Sequence, residues 1–314
     1  MLAEAAAERL RAYATARGGV FTSAHAAALG VDDPALRRLR RAGAVVRVRR
    51  DAYVLGGAWC AAGPEARLRL RTRAILLTRP GDVASHESAL ALHALPLLGP
   101  PLGAPLDVVD VLADVGRTRL SAGLRPHPRA GLDHVVADGY RCVPVNIGLA
   151  QVVLRSGPTA GLVPLDAALH GGLASRAGVA EAFDVLATPG AGRRRADDAL
   201  RRCSALAESP GETLTRLALV DAGLEVRPQV AVHGDDGQLV GRVDLLVGER
   251  VVVEFDGAVK YAGAQGRDAL VAEKHREDAL RELGYVVVRV TWADLLRPEL
   301  VVARVRRAMS RLSS

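Results

Sequence analysis

The chain has 314 residues, a net charge of +7 and 49% hydrophobic residues. That apolar content can build real cores and excludes global disorder, and the length suits two or three domains. The basic balance, with a pI near 9.9, favours a polyanionic partner, while three scattered cysteines, Cys60, Cys142 and Cys203, offer neither zinc spacing nor a disulfide framework.

Residues 1–57 predict a winged helix-turn-helix. A first amphipathic helix runs from Leu2 to Arg17; it carries Glu4 and Glu8, which excludes a secretory signal. Gly18-Gly19 ends it, Thr22 or Ser23 caps the short helix "SAHAAALG", and Gly30 makes the turn. Asp32-Asp33-Pro34 then starts "PALRRLRRAG", with a carboxylate cap and proline in the first turn. Leu36 and Leu39 face inward, while Arg37, Arg38, Arg40 and Arg41 face out. "AVVRVRRDAYVL" predicts a two-stranded wing turning near Arg49-Arg50-Asp51, with Arg47, Arg49 and Arg50 as further cations. Ten arginines against five acidic residues give this segment +5 of the net +7. Such a helix and wing suit insertion into the major groove of double-stranded DNA with phosphate contacts. The competing reading is a small protein-interaction domain with a solvated charged face.

Residues 65–205 predict an α/β scaffold without clear chemistry. "PEARLRLRTRAILLTRPG" and "ASHESALALHAL" are helices, the second capped by Ser85. The neighbours Ser85, His86, Glu87 and Ser88 point in different directions along a helix, so they make no triad among themselves. The longest apolar region, Ala89 to Leu112, is broken by His93, four prolines and Asp107, and cannot be a membrane span. "LDVVDVLA" and "HVVADGYRCVPV" follow as strands, and "LAQVVLRSG" and "LVPLDAALHGG" as helices. His93, His127 and His134 are expected to be structural. The whole reads as a soluble, reduced, cytoplasmic chain with no membrane partner.

The richest chemistry lies in residues 208–314. "SPGETLTRLALVDAGL" is a helix with Glu212 in its first turn, and "PQVAVH" is a strand. "VGRVDLLVGERVVVEFDG" is a hairpin; a turn centred on Glu249 sets Asp244 opposite Glu254. Side chains alternate along a strand, so Glu254 and Asp256 share that face with Asp244. Burying several unpaired carboxylates together is unfavourable, so a cation is expected, and oxygen-only donors suit Mg²⁺ or Mn²⁺. The helix "GRDALVAEKHREDALRELG" has an apolar stripe of Ala272, Ala279, Leu280 and Leu283. Arg276 falls inside that stripe and should face the sheet, flanked by Glu273 and Lys274. A strand, "YVVVRVTWADLL", leads into the last helix. Among 42 basic residues only Lys260 and Lys274 are lysines, and both follow "VEFDG".

The order of Glu212, Asp244, Glu254-Phe255-Asp256-Gly257, then Glu273, Arg276 and Leu280, resembles the PD-(D/E)xK restriction-endonuclease fold, closest to its Vsr-like branch, over residues 208–310. The front of the chain, with "GVFTSAHAAALGV", "VRVRRDAYVL" and "SHESALALHALP", also resembles AbiEi-type antitoxin and regulator proteins, whose winged helix binds promoter DNA. The first resemblance implies metal-dependent phosphodiester hydrolysis. Asp244 and Glu254 would hold Mg²⁺ or Mn²⁺ with the Phe255 carbonyl, and Glu212 would join through water or a second ion. The usual lysine two residues after the strand glutamate is Asp256 here, so Lys274 or Lys260 would have to supply that ammonium. The second resemblance implies a transcriptional regulator with a catalytically degenerate nuclease domain, and a cognate toxin or repair factor as partner. The fold class expected is thus α/β multidomain: winged helix-turn-helix (1–57), α/β scaffold (65–205) and restriction-endonuclease-like domain (208–314).

Overall fold

A computed structural model describes residues 2–98, 105–257 and 264–312. The chain divides into two compact units, residues 1–161 with 174–197, and residues 162–173 with 198–314. The basic N-terminal segment and most of the middle region therefore share one unit, and part of one middle helix belongs with the C-terminal segment.

The first unit opens with α1 (Leu2–Thr15), β1 (Val20–Thr22), α2 (Ser23–Ala28), α3 (Asp33–Arg41), β2 (Val45–Arg49) and β3 (Ala52–Leu55). Ala6, Leu10 and Ala14, spaced four apart, put one face of α1 into a core with Phe21, Leu36 and Tyr53. Two local devices fix the helix starts. Thr22 Oγ1 accepts from the His25 amide while His25 Nδ1 accepts from the Thr22 amide, a reciprocal cap on α2. Asp32 Oδ1 accepts from the Ala35 amide, and Pro34 sits in the first turn of α3. The sheet has the order β1-β3-β2, so the wing strands are tied to the strand before α2. This is the helix, strand, helix, helix, strand, strand order of a winged helix.

The unit continues through α4 (Gly56–Ala61), α5 (Pro64–Leu77), β4 (Val83–Ala84), α6 (His86–Leu92), β5 (Val109–Ala113), β6 (Leu124–Pro128), β7 (Val135–Ala137), β8 (Tyr140–Cys142) and α7 (Val145–Ser156). Next come α8 (Pro158–His170), α9 (Arg176–Leu186) and α10 (Ala191–Arg202). The five strands form one sheet of order β6-β5-β4-β8-β7, with β5 buried along its whole length. Ser85 occupies the N-cap position of α6, but its hydroxyl does not cap the helix.

The second unit contains α11 (Pro210–Asp221), β9 (Val226–His233), β10 (Leu239–Val247), β11 (Val251–Asp256), α12 (Ala264–Glu282), β12 (Val286–Thr291), α13 (Trp292–Leu295) and α14 (Pro298–Leu312). Its sheet has the order β12-β11-β10-β9. The first three strands in sequence are antiparallel neighbours, and β12 returns parallel to β11 after the α12 crossover. Val232, Val243, Leu246 and Val252 of the sheet share one core cluster with Leu280 of α12. Elsewhere in the unit, Asp166 of α8 is fully buried. It accepts from Arg216 (2.7 Å), Thr213 Oγ1 (3.0 Å) and the Ser204 amide (2.7 Å). Among the described residues no helix is long and apolar enough to cross a membrane.

Candidate functional site

Strand register builds the C-terminal candidate. Leu245 pairs with Val253 and Val247 with Val251, which centres the turn on Glu249 and brings Asp244 across from Glu254. The side chain of Asp244 reaches past the end of that ladder, where its Oδ2 accepts from the Phe255 amide at 2.8 Å. Glu254 is 8% exposed, with the Arg276 guanidinium 2.7 Å from its Oε1. This ion pair is the partner of Oε1. Arg276 does face the sheet, and its other nitrogen donates to the Arg242 carbonyl at 3.1 Å. Gly241 makes this possible: a Cβ there would lie 2.9 Å from Arg276 Cδ.

Glu212 closes the start of α11 instead of pointing freely at the strands. It accepts from the Glu208 amide (3.0 Å) and Ser209 Oγ (2.8 Å), while Ser209 Oγ accepts from the Glu212 amide. A third partner is Gln229, whose Nε2 donates to Glu212 Oε2 at 3.0 Å. Gln229 has a positive φ of 52°, an uncommon backbone for a non-glycine residue inside a strand. It sits between the Pro228–Leu245 and Val230–Val243 pairs, beside Asp244. Nothing in "RPQVAVH" marked it in advance.

The cation for Asp256 is one that sequence reasoning missed. Glu254 pairs with Arg289 in the β11–β12 register, and the Arg289 guanidinium lies 3.9 Å from Asp256 Oδ2 and 2.9 Å from Glu277 Oε2. An arginine inside the apolar run "VVVRV" was the available signal. Lys274 is exposed and lines a cavity of about 330 Å³ with Asp256, Glu273, Glu277 and Arg289, rather than joining Asp244 and Glu254. Lys260 lies outside the described residues.

The electrostatics follow from this crowding. Burial, together with the Glu212 and Glu254 carboxylates, pushes Asp244 up to about 6 against the stabilising Phe255 amide. Burial also raises Glu254, with Arg276 and Arg289 holding it back. The donor set is all oxygen, as a hard cation requires, but Glu254 Oε1 is already ion-paired with Arg276. The spacing is less favourable. No three of Glu212, Asp244, Glu254 and Asp256 bring oxygens within 4.8 Å of one another; among the described residues the group that meets this limit is His86, Asp110 and His127. As placed, the carboxylates are served by Arg276, Arg289 and backbone amides, and do not fit a closed Mg²⁺ or Mn²⁺ nest.

The N-terminal candidate is a basic surface. Arg37, Arg38, Arg40 and Arg41 are exposed on α3, whose Leu36 is buried. Arg37, Arg40, Arg41 and Arg47 line a concavity of about 590 Å³ between α3 and β2. Arg37, Arg40, Arg47 and Arg50 line a second one of about 320 Å³ that also includes Ser23 and Asp51. Asp51, at φ 59°, makes the wing turn and accepts from Ser23 Oγ at 2.8 Å. Arg49 is different: its guanidinium donates to the carbonyls of Ser121 (2.8 Å) and Ala122 (2.9 Å) before β6. It anchors the wing within the unit.

Comparison with known proteins bears on this surface alone. No curated protein matches the chain. Residues 8–56, which span α3 and the wing, match the family model described as "Transcriptional regulator, AbiEi antitoxin". Over that stretch the chain is similar to the AbiEi antitoxin and transcriptional-regulator family.

Proposed function

We propose that this chain is a DNA-binding transcriptional regulator of the antitoxin type. Its α3 would enter the major groove, its wing would contact phosphates, and its C-terminal unit would be a nuclease-like fold used for contacts rather than cleavage. The observation that carries this reading is the convergence of Arg37, Arg40, Arg41 and Arg47 on one concave surface, inside the segment similar to AbiEi regulators. Arginines spaced like this neutralise successive phosphates and release counterions. A cognate toxin is the protein partner the reading implies. The test is selection of a duplex from a random library by the full chain, followed by affinity measured against salt. Combined Arg37→Glu and Arg41→Glu should weaken binding and lower the log–log salt slope by about 2. An unchanged slope refutes α3 as the DNA-facing helix.

A second reading, metal-dependent phosphodiester hydrolysis, is favoured by one observation: Asp244 and Glu254 are both raised and adjacent. Further support is the order helix, three antiparallel strands, helix, parallel strand. Supercoiled plasmid incubated with Mg²⁺ or Mn²⁺ decides it. Nicking by the wild type that Glu254→Ala abolishes supports hydrolysis; plasmid left intact by a folded sample removes it.

A further inference from the structure

The first unit holds a set of chemistry-bearing side chains that DNA binding does not use. In the parallel β5–β6 pair, Asp110 lies beside Arg125 and Leu112 beside His127, so Asp110, Arg125 and His127 share a face. β4 pairs with the other edge of β5 and leads through Ser85 into α6, which begins at His86. Three segments distant in sequence meet there. The backbone of His86 is left-handed, with φ 51°, and its amide donates to Gln151 Oε1 at 2.9 Å. That conformation is uncommon away from glycine and costs about 1 kcal/mol or more. Its ring is nearly buried and stacks on that of His127 with centroids 4.4 Å apart.

The ring nitrogens are sorted by their partners. His86 Nδ1 lies 3.1 Å from Ser85 Oγ, and His127 Nδ1 lies 3.1 Å from Thr118 Oγ1. A hydroxyl that accepts from Nδ1–H leaves the Nε2 lone pair for a ligand. His127 Nε2 is 2.7 Å from Asp110 Oδ1, a contact bridged by one proton that moves to Nδ1 when the tautomer changes. Asp110 is 1% exposed. Arg155 and Arg125 approach the same Oδ1 at 2.7 and 3.4 Å, so all three contacts fall on one oxygen. Arg155 is neutralised on its other side by Glu87.

We propose that His86, Asp110 and His127 form a site for a divalent transition cation of the zinc class, with coordination positions left open. Their donor atoms lie within 4.8 Å of one another. Ligands of a tetrahedral zinc, each about 2.0–2.2 Å from the metal, stand about 3.4 Å apart, a contraction within reach of side-chain rotation. Two imidazoles and one carboxylate suit zinc and its neighbours, where magnesium and calcium prefer oxygen alone. Ser85, Thr118 and Arg155 act as the outer partners that orient ligands. Arg125 is the group an incoming cation displaces, because it has the longest contact to Asp110.

The test is titration of the chelator-stripped full chain with Zn²⁺ against a competing indicator, with thermal stability followed in parallel. One equivalent should bind and raise the melting temperature. His86→Asn, chosen because asparagine tolerates positive φ, and His127→Gln should each weaken that equivalent by about 100-fold or more. His134→Ala with His233→Ala should leave it intact. Arg125→Gln removes a competitor and no ligand, so it should tighten binding, which keeps the proposal testable if the histidine variants fold poorly. No stoichiometric binding by the wild type, affinity within threefold in both histidine variants, or unchanged or weaker affinity in Arg125→Gln would each overturn the assignment.

Discussion

Replacing Asp244 by asparagine should stabilise the protein, and only above a definite pH. The folded carboxyl titrates near 6 against an ordinary 3.8. It holds its proton more tightly folded than unfolded, so the favourable contribution is fully present below about pH 4 and is lost as pH rises through 6. A shift of about two pH units at about 1.4 kcal/mol each gives roughly 3 kcal/mol of destabilisation at pH 8. Asparagine keeps an oxygen for the Phe255 amide and removes the charge that Glu212 and Glu254 oppose. The variant should therefore gain about 2–3 kcal/mol at pH 8 and almost nothing at pH 4. Urea unfolding in EDTA would measure this. The emission of Trp292, which packs edge-on against Phe255 at 5.1 Å, would serve as the reporter in a Trp59→Phe background. A variant less stable than wild type at pH 8, or a difference independent of pH, would refute the account of a crowded, unneutralised carboxylate. If Mg²⁺ erases the gain by stabilising the wild type, the second functional reading is strengthened.

Other outcomes follow from packing. Gly211→Ala would put a Cβ 2.1 Å from the Phe255 ring, and should cost about 1–3 kcal/mol by overpacking, seen as a lower denaturant midpoint. Asp166→Ala leaves Arg216, 7% exposed, without its carboxylate and should cost about 3–5 kcal/mol. A fragment of residues 208–314 also lacks Asp166 and should show the same defect in solubility and thermal unfolding. Arg49→Ala should cost about 1 kcal/mol of stability through its lost carbonyl bonds, while leaving the salt slope of DNA binding unchanged. The same replacement at Arg47 should do the reverse.

Local signals were the most legible in this sequence. Caps such as Asp32 and Thr22, the proline at the start of α3, and the alternation around "VVVEFDG" report on a few residues, and each sets its own segment. The hairpin register was readable because its turn is short. So was the inward face of Arg276, since helical spacing alone puts it with Leu280. What the sequence hid depends on distant pairing. Arg289 becomes the neighbour of Glu254 and Asp256 only through the parallel β11–β12 ladder. His86, Asp110 and His127 lie in three segments that β4, β5 and β6 bring together, so judging "SHES" by itself could not reveal its partners. Arg49 looked like one more basic wing residue until the segment before β6 supplied two carbonyls. Glu212 was legible as an acid in a first turn, yet in the structure Ser209 caps that helix by accepting from the Glu212 amide, and the Glu212 carboxylate turns back to accept from Ser209 Oγ and the Glu208 amide.

The passage of the chain from one unit to the other and back, at residues 162–173 and again after 197, has an evolutionary consequence. A single recombination junction cannot exchange the two halves cleanly. A gene fusion that grafted a new front end at residue 200 would leave the recipient without the helix that carries its buried acid. A homologue that carries residues 198–314 without 162–173 should have replaced Arg216 by an apolar residue, because without Asp166 its buried charge has no carboxylate partner.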